Sequence, residues 1–159
     1  MTRCHPLALA RLSVEPTEIR RGGATGSVGS FGMTRLNDDG TPKMHRGIDL
    51  LSHTGALVYA AHNGRIRRAG WQDVKDHAAG YGQRIYLAAT MHDLETRYAH
   101  LSEISVELGS LVRVGQVIGK VGRTGNVSEG VLTHLHFEVW TDSEAINPVS
   151  WLVREEHVA

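Results

Sequence analysis

From Phe31 onward the sequence predicts an all-β fold, and two observations carry that reading. Short apolar runs are broken by glycine about every ten residues, and each run is only a few residues long with turn-forming residues beside it. In chain order the strands are expected at residues 57–60, 64–69, 84–89, 95–99, 117–121 and 135–140. A single short helix should close the chain. Asn147 stands as its N-cap, Pro148 takes the first helical position, and Trp151 and Leu152 follow to pack onto the sheet. No fixed-period repeat is present.

A chain of 159 residues fits one domain with a real core. Its 17 Lys and Arg balance 17 Asp and Glu, which excludes a general field for nucleic acid or an anionic membrane and leaves partners to local recognition. No apolar run approaches the roughly 18 residues that span a bilayer, so membrane insertion is not expected. The apolar patch at residues 7–10 is too short for the core of a Sec-type signal. Residues 1–29, rich in glycine, read as an N-terminal arm or linker, and residues 30–159 as the folded domain. Cys4, the only cysteine, reads as a free thiol near a mobile end.

The chemistry concentrates in histidines. Between His134 and Val139 polar and apolar residues alternate, so on a strand His134, His136 and Glu138 share one face while Leu135, Phe137 and Val139 face the core. Two imidazoles so spaced project in parallel, so one can bind a metal while the other stands beside it. Glu138 suits a supporting hydrogen bond better than a ligand position. In His45-Arg46-Gly47-Ile48-Asp49 a histidine and a carboxylate lie four apart, on one side of either a strand or a helix. Gly47 and the residues after Asp49 favour a strand. Two nitrogens and one oxygen leave an open fourth position, the usual arrangement of a hydrolytic zinc site. His100 ends a segment in which Tyr98 and His100 alternate with Ala99 and Leu101, and it is a candidate second proton shuttle. His5, His53, His62, His77, His92 and His157 carry no expected catalytic role.

These motifs resemble the lysostaphin-like, or LytM-type, peptidases of family M23. The likeness runs from about Ser30 to Leu152. It takes in Ser30-Phe31-Gly32-Met33, the His45 to Asp49 motif, Val58-Tyr59-Ala60-Ala61, Tyr98-Ala99-His100-Leu101, Gly122-Arg123-Thr124-Gly125 and His134-Leu135-His136-Phe137-Glu138. The resemblance implies a compact antiparallel β-domain with an open groove. It implies one Zn2+ per chain held by His45, Asp49 and His136, with His100 and His134 as the catalytic histidines that do not bind metal. It also implies hydrolysis of peptide bonds in bacterial peptidoglycan, with stem-peptide cross-links expected ahead of glycine bridges. One departure is a longer loop through Ser128-Glu129-Gly130 before His134, which bears on the groove wall there.

The expected partner is therefore the peptide part of peptidoglycan, and the protein itself is expected to be a monomer. Its expected site of action is the cell envelope or the extracellular space. A phage-type lytic enzyme or an injected antibacterial effector would reach it without a Sec signal, and the sequence leaves any immunity or delivery protein unidentified. The alternative is a non-catalytic relative that binds cell wall or regulates a hydrolase, which predicts lost ligands. A biotinyl or lipoyl carrier, suggested by residues 112–122, is set aside because its turn lysine is missing.

Overall fold

The computed structural model describes residues 1–7 and 29–153. It contains eleven strands and one helix: β1 Gly32–Leu36, β2 Pro42–His45, β3 Ile48–Leu51, β4 Leu57–Tyr59, β5 Gly64–Trp71, β6 Gln83–Ala88, β7 Leu94–Ile104, β8 Leu111–Val112, β9 Val117–Val121, β10 His134–Thr141, β11 Glu144–Ile146 and α1 Pro148–Val153. β1 and β2 form a separate hairpin. The other nine strands form one sheet of order β11-β10-β7-β6-β5-β8, with β3 against β10 and β9 bridging β7 and β4. Every pairing is antiparallel. Among the described residues no helix is long and apolar enough to cross a membrane.

The core follows from strand alternation. Leu135, Phe137 and Val139 of β10 are buried with Ile48 and Leu50 of β3, Ile66 of β5, and Ile85 and Leu87 of β6. Asn147 Oδ1 accepts from Val149 N at 3.0 Å, which caps α1 and sets Trp151 against Phe137 at a ring distance of 6.4 Å. A buried hydroxyl chain crosses this core. Ala61 N donates to Tyr98 Oη, which pairs with Thr96 Oγ1, which pairs in turn with His62 Nε2.

Four expectations change. His45 and Asp49 do not share one strand: β2 ends at His45, Arg46 and Gly47 interrupt, and β3 begins at Ile48. Gly47 lies so close to β10 that an added Cβ would meet the Phe137 carbonyl oxygen, and would stand 2.9 Å from Glu138 Cγ. Tyr98 does not share the face of His100. It is fully buried, and the alternation of β7 breaks at His100, whose φ is 62° and after which β9 replaces β10 on one side of the strand while β6 still pairs at Leu101. Cys4 is free but buried, because residues 3–7 lie along the domain: Cys4 N donates to Ala61 O and Tyr59 N to Pro6 O. The β1–β2 hairpin, β8 and β11 were not expected, since they are short or carry exposed side chains such as Met33 and Leu36. Residues 8–28 of the expected arm, and His157, lie outside the described residues.

Candidate active site

The end of β2, the middle of β3 and the start of β10 meet where Asp49 pairs in register with His136 and β10 continues alongside β7. His45, Asp49 and His136 are all buried, and one ligand atom from each lies within 4.8 Å of the others. His45 Nε2 stands 3.0 Å from His136 Nδ1 and 3.2 Å from Asp49 Oδ1, and His136 Nδ1 stands 2.9 Å from Asp49 Oδ1.

The outer nitrogens decide what these three atoms are. His45 Nδ1 donates to Ser30 O at 2.8 Å, and His136 Nε2 donates to Glu138 Oε1 at 2.9 Å. In the neutral rings the inward atoms are therefore both bare lone pairs, facing each other and a carboxylate oxygen. Such an arrangement is held together by a positive centre: a proton on His136, the neighbouring Arg35 guanidinium or a bound cation. Ligand atoms set tetrahedrally about a zinc ion at about 2.0–2.2 Å lie roughly 3.3 Å apart, close to the spacing observed. The donor set, two imidazoles and one carboxylate, also suits zinc. The electrostatics agree. Burial alone would lower the His136 pKa, but the carboxylates of Asp49 and Glu138 outweigh it and hold it up at about 9. Burial disfavours a charged Asp49, yet His136 and His45 keep it well below the usual carboxylate range. A proton and a metal ion compete for the same lone pairs.

His100 and His134 flank this cluster, with ring centroids 5.2 Å apart. His100 Nδ1 donates to Thr124 O and His134 Nδ1 to Leu132 O, each at 2.8 Å, while His134 Nε2 lies 3.8 Å from Asp49 Oδ1. Both rings thus keep Nε2 for the groove. Burial lowers both pKa values, that of His100 to about 3 with help from His136 and His134. His100 is held between two loops: its N–H donates to Tyr81 O, and the loops meet where Gly82 and Gly125 face each other with no room for a Cβ.

Behind His136 stands Glu138, 1% exposed, which accepts from Tyr81 Oη and Trp140 Nε1 at 2.5 Å each and lies 3.6 Å from Arg97 Nη1. Arg97 is itself stacked on Trp140 at 3.9 Å and bonded to Glu95. The Tyr81 ring also lies over His136 at 5.4 Å. In front, Arg35 of β1 pairs with Asp49 Oδ2 and stands 3.0 Å from His45 Nε2. Arg123 braces the longer loop by donating to Val131 O and Ser128 O. The structure brings all five sequence-selected residues together. Sequence reasoning missed Arg35, Tyr81, Arg97 and Trp140, which no motif marks because each comes from a different element. His5 and His62, both buried, and His53, His77 and His92 are not among the residues that form this cluster.

Residues 43–148 match the family described as peptidase family M23. The DD-carboxypeptidase/endopeptidase Mpg of Neisseria meningitidis serogroup B is 39% identical over 110 residues, covering 69% of this chain and 23% of that protein. The chain thus spans less than a quarter of that relative. The crystallised catalytic domain of the antimicrobial peptidase lysostaphin from Staphylococcus simulans superposes with a TM-score of 0.63 at 31% identity, covering 78% of this chain and 88% of that domain. A zinc-containing peptidase from Vibrio cholerae gives a TM-score of 0.65 at 26% identity, covering 86% of this chain and 39% of the other. With the match spanning most of the chain and taking in His45, Asp49, His100, His134 and His136, the chain belongs to peptidase family M23, a family of zinc metallopeptidases.

Proposed function

We propose that this chain is a zinc-dependent endopeptidase that hydrolyses peptide bonds in bacterial peptidoglycan, with stem-peptide cross-links favoured over glycine bridges. The observation that carries the reading is the convergence of three lone-pair atoms from His45, Asp49 and His136, beside two histidines that keep Nε2 for the groove. The first three residues would hold one zinc ion per chain. Bound there, zinc supplies Lewis acidity, which brings the pKa of water toward neutrality and polarises a carbonyl. The chain's own residues do the rest. One of His100 and His134 takes a proton at Nε2 as the water oxygen bonds to the carbonyl carbon, and returns it to the amide nitrogen as the C–N bond breaks. The other, when protonated, donates from Nε2 to the developing oxyanion.

The relative named DD-carboxypeptidase/endopeptidase favours this preference. A relative from Staphylococcus capitis named glycyl-glycine endopeptidase, 35% identical over 103 residues, favours glycine bridges, so digestion of both kinds of sacculus decides between them. On this reading the protein acts in the cell envelope or outside the cell, as a phage-type lytic enzyme or an injected antibacterial effector. The non-catalytic alternative predicts lost ligands, and none of the three is lost here. The test is digestion of purified sacculi cross-linked directly or through glycine bridges, with the new termini identified by mass spectrometry. Cleavage of direct cross-links, stopped by a chelator and restored by zinc, is expected. Release from neither sacculus overturns the proposal.

A further inference from the structure

In the register of the β1–β2 hairpin, Arg35 stands directly opposite Lys43. Like charges facing each other across two strands destabilise a hairpin, so this pair breaks a local rule that β-structure normally obeys. Such breaks gather at functional sites. Both cations line the groove that contains Asp49, His100 and His134, and the opposite wall supplies the uncharged Asn126 and Ser128. Among the described residues Asp49 is the only acid lining this groove; its Oδ1 is engaged with His136 and its Oδ2 with Arg35, so one edge of the Arg35 guanidinium is held by Asp49 and Lys43 carries the uncompensated charge. Asp39, near the hairpin turn, accepts from Thr41 instead. The side chain of Lys43 is exposed and makes no ion pair or hydrogen bond among the described residues.

We propose that Arg35 and Lys43 form a carboxylate subsite on this wall, so that the preferred peptides carry a free carboxylate close to the scissile bond. The inference rests on the endopeptidase reading of the same site. A planar guanidinium beside a flexible ammonium suits a carboxylate, the first for geometry and the second as a point charge. The carboxylate has two sources, the C-terminus of the peptide or an acidic side chain within it.

The test uses a cross-linked stem-peptide dimer in three forms: all carboxyls free, C-terminal carboxyls amidated, and side-chain carboxyls amidated. Affinity is measured on the metal-free full chain by calorimetry, and kcat and KM on the zinc-loaded chain. One amidated form is expected to bind about fivefold more weakly than the free acid, and the form that does so identifies the source. Lys43→Gln should remove most of that preference, Lys43→Glu should reverse it, and the change should fall on KM with kcat retained. The preference should also shrink as salt is raised. Equal binding of all three forms, or a Lys43→Gln loss that is the same for acid and amide, overturns the subsite. If the zinc-loaded parent cleaves every form equally well and Lys43→Gln changes nothing, the subsite falls and the endopeptidase reading stands. If it cleaves no form, that reading falls, and the calorimetry still decides the subsite.

Discussion

His134 and His136 stand two residues apart on β10, both buried at the groove, yet their hydrogen bonds turn opposite nitrogens toward it. Glu138 takes the Nε2–H of His136 and leaves Nδ1 facing His45 and Asp49, whereas Leu132 O takes the Nδ1–H of His134 and leaves Nε2. Burial disfavours the charge on Glu138, but His136, Tyr81 and Trp140 outweigh it and hold its pKa at about 2, so the partner of His136 stays ionised. Alternation along the strand makes the shared face legible in the sequence. It does not reveal which nitrogen each ring presents, because the deciding partners come from Leu132, Glu138 and, for His45, Ser30. This division of roles predicts that His136→Ala loses zinc and, with it, detectable hydrolysis. His134→Ala should keep zinc near the parent level while turnover drops by about 10²–10⁴-fold. Zinc per chain and peptide release, measured on both variants, check this; an empty site in His134→Ala with a full one in His136→Ala would reverse the roles.

At the scale of elements, the His45 to Asp49 spacing points to one continuous strand, and the chain instead breaks at Arg46 and Gly47 between β2 and β3. The break lets β2 turn into the hairpin while β3 stays beside β10, and it leaves His45 and Asp49 on the same cluster. A four-residue spacing fits either path, so periodicity could not choose between them. The β1–β2 hairpin was invisible for a related reason: its strands are largely exposed and bury no alternating face. His100 shows the opposite case, a residue that lines the groove although the alternation used to place it there fails at its positive φ. Gly47 is where the β2–β3 path can be tested. An added methyl there meets the Phe137 carbonyl and lies 3.0 Å from the His136 ring. Gly47→Ala should therefore destabilise the fold by about 1–3 kcal/mol and, if His136 is a zinc ligand as proposed, weaken zinc binding as well, since the strand it pushes carries His136. Denaturant midpoints and zinc titration of the variant check this, and a parent-like result in both would show that β10 yields without consequence.

For the molecule as a whole, the longer strands of the sheet and the closing helix were legible, though not β8 and β11, because residues such as Ile85, Leu87, Phe137 and Val139 bury one face of regular strands. The role of the first seven residues was not, since a short segment without periodicity reads as an arm. In the fold they add to the domain beside β4. Arg3 donates to Trp151 O and stacks on its ring at 4.6 Å, so the segment ties the closing helix to the loop that follows β4. Cys4 and His5 are buried in the process. Removing residues 1–7 takes away the partners of Ala61 O and Tyr59 N and uncovers the side chain of Trp151. Water then solvates the freed backbone groups, so the expected loss is modest, about 1–3 kcal/mol, rather than the full penalty of buried unsatisfied groups. For a chain of this size that corresponds to a fall in Tm of roughly 3–10 °C. The cluster of His45, Asp49 and His136 draws no contact from residues 1–7 among the hydrogen bonds and ion pairs described, so zinc content should stay at the parent level. Calorimetric melting of the truncated chain, with Arg3→Ala as the point variant that loosens the same tie, measures the effect. An unchanged melting temperature in both would show that the segment merely rests on the domain.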